Sequence, residues 1–259
     1  MLADAYINNK TIDSLDSKAI YKHYIMRTKR MVIEQYGEDM AIRGYRVMAF
    51  VTALGGISLD DSVNVIEKDM EYIWNYFAES QSRVELFFNF ISESSEKDSI
   101  SAIKPNLIGE LIFLYEWGDL NKNSKANWIY ALKNNIDALA FLSRCIVDWS
   151  TESISLCETL LDIVNNPKSV DVVTFIIKIF SMAVQEAPTE HLKMKYLNII
   201  SEINIDSIFS MSIDKSRLIS LHNEIACVLR TSNRYRELAI EHYQKILILQ
   251  EKGEDKIDA

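Results

Sequence analysis

Four histidines, His23, His191, His222 and His242, are the side chains best suited to proton transfer or metal ligation near neutral pH. They are scattered, with no HExxH and no His-x₃-His spacing, so the pattern predicts no metal centre. Carboxylates are plentiful. Asp60 and Asp61 are adjacent, and Glu110 and Glu116 lie in one apolar run. Neighbouring residues point to different sides of a helix, and the Asp60-Asp61-Ser62 stretch reads as a helix N-cap rather than an acid–base pair. No GxxxxGK[ST] loop is present to cradle phosphates, and Gly55-Gly56 follows an apolar helix and reads as a turn. Cys145, Cys157 and Cys227 are odd in number and lack CxxC spacing, which predicts buried free thiols in a reducing cytoplasm. The expectation is a chain without catalytic residues, metal or cofactor.

Cationic side chains are the remaining chemistry. Arg27, Lys29 and Arg30 cluster on one helical stretch, Arg43 and Arg46 on the next, and these read as a solvated face. The net charge of −9 argues against a duplex-DNA partner, whose binding needs a basic surface.

The elements that must position these residues are helices. Seven glycines and three prolines are few for 259 residues, 48% of them hydrophobic and 25% charged. That composition suits an all-α fold of long helices and polar loops. Helices are expected over 13–36, stopped by Gly37, and over 39–54, stopped by Gly55-Gly56, with others beyond Asp61 and over 84–91. A short strand is expected near Ile100–Ile103. From Pro105 onward the pattern predicts helices near 106–118, 123–148, 152–165, 168–187, 189–203, 206–211, 214–231 and 235–252. Trp74, Trp117, Trp128 and Trp149 are expected in inter-helix packing. No apolar run reaches membrane-spanning length, and Met1 to Tyr6 lacks the basic start of a signal peptide. A cytoplasmic protein without a membrane partner is the expectation.

Pro105 suits the first turn of a helix, and Leu107, Ile108, Leu111, Ile112 and Leu114 give that helix an apolar face too wide for a surface element. It should be buried between layers. Pro105-Asn106-Leu107-Ile108-Gly109-Glu110 resembles the Pro-Asp-Leu-[Leu/Ile]-Gly-Glu element of bacterial STAND NTPases, the NACHT-like group that includes antiviral defence ATPases. Val47–Ile57 is similar to the Gly-Gly-ended helix before the wing of their winged-helix module, and Phe141–Asp148 resembles the helix after it. Asn106 stands where that family usually has Asp. The resemblance implies a helical, winged-helix-like module over 1–118, with at most one short β-wing, and a TPR-type helical array over 119–259.

The last helix pair carries a repeat signature of its own. Ala239 to Leu247 resembles the second helix of a tetratricopeptide repeat, with Ala239 at the small position and Tyr243 at the aromatic one. Ile225 and Ala226 match the first helix, and Tyr235 the aromatic that starts the second. In such a stack the first helices line a concave surface. Ser220, Asn223, Cys227 and Arg230 would face it, with Asn223 and Arg230 as partner-binding residues and Arg230 as the anchor for an acidic group. The resemblance implies a non-enzymatic regulatory and sensing segment of a STAND-type NTPase that recognises a protein partner, such as a phage protein. The basic clusters would then contact the NTPase domain. A free-standing TPR-like adaptor is the alternative.

Overall fold

The computed structural model describes residues 17–58, 99–103, 106–203, 205 and 215–251. The expected helices beyond Asp61, over 84–91 and over 206–211 lie outside these residues, as do Asp60, Asp61 and Trp74. The fold is all-α, and it falls into two compact units, Met1–Ala131 and Leu132–Ala259.

In the first unit, α1 (Ser17–Tyr36) and α2 (Glu38–Ala53) meet at Gly37. The φ of +88° at Gly37 is open to glycine but strained for other residues, which makes the stop sharp. The buried side of α1 is Ile25, Thr28 and Val32, whereas Tyr24 and Met31 face out. Gly55 and Gly56 also have positive φ, so the doublet is the turn its sequence suggests. It leads into β1 (Gly56–Ser58), which pairs antiparallel with β2 (Ser99–Ser101), Ile57 opposite Ile100. The expected strand near Ile100 is therefore one half of a pair, and it ends before Ile103.

Helix α3 (Asn106–Gly118) packs on α1 and α2 and is buried from Gly109 to Leu114. Its closest approach is at Gly109. The Ile103 N–H donates to Thr52 Oγ1 at 3.1 Å, which fixes the Thr52 rotamer and aims its methyl at the helix. A Cβ on Gly109 would lie 2.7 Å from Thr52 Cγ2 and 3.1 Å from the Ile103 carbonyl oxygen. Gly109→Ala should cost about 1–3 kcal/mol, because neither neighbour can yield without losing that hydrogen bond. Urea denaturation checks this, and an unchanged midpoint would refute the close approach.

Helix α4 (Lys122–Leu132) stays with the first unit through Trp128, whose ring contacts Phe50 and Phe113 at centroid distances of 5.3 and 5.7 Å. This packing moves the division of the chain past 118, where the sequence places it, to the last residue of α4. The single helix expected over 123–148 is broken. Asn135 accepts the Ala138 N–H on its side chain at 2.9 Å and so starts a new helix, α5 (Ile136–Asp148).

The second unit continues with α6 (Ile154–Asn165), α7 (Val170–Glu186), α8 (Glu190–Ser201), α9 (Lys215–Leu229), a 3₁₀ turn (Asn233–Tyr235) and α10 (Arg236–Glu251). Helix α7 is apolar nearly all round and packs against α5, α6, α8 and α9. Helix α8 packs on α7 and α9, and α10 on α9. The Tyr196 hydroxyl of α8 donates to the Ile146 carbonyl of α5 at 2.7 Å within the core. Ala226 and Ala239 are fully buried where α9 and α10 cross, so the small side chains sit where two backbones approach. Trp117, Trp128 and Trp149 are all buried, as their packing role requires.

Candidate partner-binding groove

Because α7 lies between α5 and α9, side chains on one side of these three helices face a common opening. It is an open groove of about 380 Å³. Helix α5 contributes Ile136 and Leu139, α7 contributes Phe175 and Lys178, and α9 contributes Arg217 and Ser220. Lys133, Asn134 and Asn135, from the turn before α5, close one end. Ile136 is 79% exposed, an unusual setting for a large aliphatic side chain at a helix start. Phe175 is buried and supplies an apolar base.

The charge of the groove is mainly positive. Among the described residues, Lys133, Lys178 and Arg217 line it with a single carboxylate, Asp171. Arg217 Nη1 donates to Asp171 Oδ1 at 2.9 Å, and both side chains are more than half exposed. An ion pair so exposed is weak and opens readily to a competing carboxylate.

Of the residues named from sequence, Ser220 lines this groove. Asn223 and Cys227 continue along α9 from Arg217 and Ser220 at intervals of three and four, which keeps them on one side of the helix, and Arg230 follows at its C-terminal end. Asn223 and Arg230 are exposed. Cys227 is half-buried rather than fully buried, since it lies on this outward side. Its Sγ donates to Asn223 Oδ1 at 3.9 Å and sits 3.7 Å from the Tyr243 hydroxyl of α10. That sulfur contact comes first among the causes that raise the Tyr243 phenol above its ordinary value, and Arg230 acts in the opposite sense. Asn223 and Arg230 thus belong to a small polar network bridging α9 and α10, beyond the residues that line the groove. The other two thiols are buried, and burial pushes Cys157 up to about 11, which leaves it unreactive.

Two of the scattered histidines come together. His222 Nδ1 and His242 Nδ1 are 2.8 Å apart, on α9 and α10, with His222 fully buried and His242 nearly so. One ring donates and the other accepts, so the pair locks the two helices. Spacing could not reveal it, because twenty residues and a turn separate the rings. Among the described residues, no three His, Cys, Asp or Glu side chains converge as metal ligands.

In the basic cluster of α1, Arg27 and Arg30 are exposed as a solvated face requires, and Lys29 departs from it. Lys29 Nζ donates to Glu116 Oε1 at 2.7 Å and lies 5.5 Å from the centroid of the Tyr45 ring. Glu116 is on the buried side of α3 and needs a cation there. Arg30 instead pairs with Glu34 on the exposed side at 2.9 Å. Glu110 is also buried, so both glutamates of α3 lie in the core.

These features define the class as an all-α protein of packed consecutive helices with an open groove on one side of its second unit. No family model, curated protein or solved structure matches the chain. Among the described residues, no helix is long and apolar enough to cross a membrane.

Proposed function

We propose that this chain is a non-enzymatic regulatory and sensing segment of a STAND-type NTPase, acting in the cytoplasm in antiviral defence by recognising a phage protein. The observation that carries the recognition is the groove: α5, α7 and α9, alternate helices of the array, present apolar and cationic side chains to one opening. Such a surface suits a peptide segment of a partner. The first unit supports the regulatory half of the reading. A helix ending in Gly55-Gly56, a two-strand pair and the buried Asn106–Gly118 helix follow in the order expected of a helix–wing–helix module. In this reading that module transmits the binding event to an NTPase domain.

The test is a pull-down with the chain as bait from phage-infected and uninfected bacterial lysates, read by mass spectrometry. One phage protein recovered only after infection is the expected result. Host proteins recovered equally from both lysates would overturn the phage-sensing reading in favour of a free-standing adaptor. Recovery of nothing from either lysate would count against protein recognition.

A further inference from the structure

We infer that the groove between α5, α7 and α9 takes an acidic peptide segment of the partner, with a carboxylate held between Lys178 and Arg217 and a neighbouring apolar side chain resting on Ile136 and Phe175. This deepens the reading of the array as a recognition surface and rests on it. Charge decides the class of ligand. Among the described lining residues, three cations, Lys133, Lys178 and Arg217, stand beside one carboxylate in a chain whose net charge is −9, so a positive groove stands against an acidic background. Such contrast draws a negative segment to this position and repels it elsewhere.

The Arg217 guanidinium can hold a carboxylate through two parallel N–H donors, and its present partner Asp171 is exposed enough to be displaced. Lys178, on the exposed side of α7, adds a point charge from the opposite helix. The positive end of the α5 dipole, beginning at Ile136, acts in the same direction and is partly offset by Asp137 in the same turn. The apolar component separates a peptide from a nucleic acid. Ile136 and Leu139 offer aliphatic contact rather than a stacking platform, and nucleic-acid binding draws on a wider basic surface than three cations.

The experiment is a fluorescence-anisotropy titration of the full chain with short labelled peptides that combine aspartate or glutamate with one aliphatic or aromatic residue. Control peptides carry asparagine and glutamine at the acidic positions. Acidic peptides should bind, more weakly as salt is raised, and the controls should not. Lys178→Glu and Arg217→Gln should each weaken binding roughly ten- to hundredfold, as loss of a charged hydrogen-bond donor implies. Asp171→Asn should strengthen it, an opposite sign that damage to the fold would not produce. Acidic peptides that bind all three variants like the wild type would overturn the groove assignment while leaving recognition by another surface intact. No binding by any peptide would overturn the acidic-peptide inference, and the lysate capture would still judge the sensing role separately. A single-stranded oligonucleotide that binds as tightly as the acidic peptides and responds to the same variants would reassign the groove to nucleic acid.

Discussion

Trp128→Ala should destabilise the first unit by about 3–5 kcal/mol, the range for truncating a large aromatic in a packed core. Trp128 is 3% exposed, and its ring is the meeting point of Phe50 on α2 and of Phe113 and Trp117 on α3, the last at 6.2 Å. Phe113 and Trp117 stack on each other at 5.6 Å, so the rings form a closed cluster and not a chain of pairs. Removing the indole strips three aromatic partners of contact and leaves a void that the remaining rings cannot close without turning. Trp128→Phe should recover a large part of the loss, since a smaller ring still meets Phe50 and Phe113. Denaturant unfolding monitored by circular dichroism measures both variants. A loss below about 1 kcal/mol for the alanine variant would mean that α4 is not held to the first unit by this ring.

The second large effect is expected at Lys29. Glu116 has a side chain only 3% exposed, and Lys29, 28% exposed, is its close cation. Burial is the main cause holding the Glu116 carboxyl above its ordinary value, and the Lys29 hydrogen bond and charge pull it back down. Lys29→Met removes the hydrogen bond and the nearer charge, and leaves only the smaller effect of Arg46 against the burial of the carboxylate. At neutral pH the cost should be about 3 kcal/mol, the lower end for breaking a buried pair, because Glu116 can escape by taking up a proton.

The sign of the pH dependence follows from the raised value. The folded chain holds the Glu116 proton more tightly than the unfolded chain, so this group favours folding below its ordinary value of 4.5. That contribution is lost as pH rises through the folded-state value. Lys29→Met should widen the window and steepen the decline, so the variant approaches wild-type stability in acid and falls away from it at neutral pH. Glu116→Gln placed in the Lys29→Met background should restore most of the loss and abolish the added pH dependence. Thermal melts across a pH series test this directly. A Lys29→Met penalty that stays constant with pH would show that the lost interaction is packing of the lysine stem and not charge.

The helix boundaries marked by glycine and proline were legible in the sequence because they are set by local backbone chemistry. Gly37 and Gly55-Gly56 stop helices by adopting positive φ, and Asn106 to Gly118 follows Pro105 with the expected bounds. The all-α class was legible for the same reason. The Asn134-Asn135 break was not, because the apolar pattern runs through it and only the cap on Ala138 decides it. The outward positions of Ser220 and Asn223 on α9 were readable from helical spacing, since one periodicity places them on the same side.

What that side meets was decided by tertiary packing. The groove depends on α7 bringing Lys178 of one helix near Arg217 of the next, a juxtaposition that no local pattern encodes. The Lys29–Glu116 pair spans 87 residues, and the His222–His242 contact joins two helices across a turn. Both rest on side chains whose charge or ring chemistry marks them as surface groups or candidate ligands in isolation. Local propensity is a property of neighbouring residues, whereas burial of a polar group is stable only when a distant partner arrives to offset its lost hydration. The chain therefore disclosed those helix ends that glycine and proline mark, and the fold alone determined which of its polar side chains became core, clasp or groove.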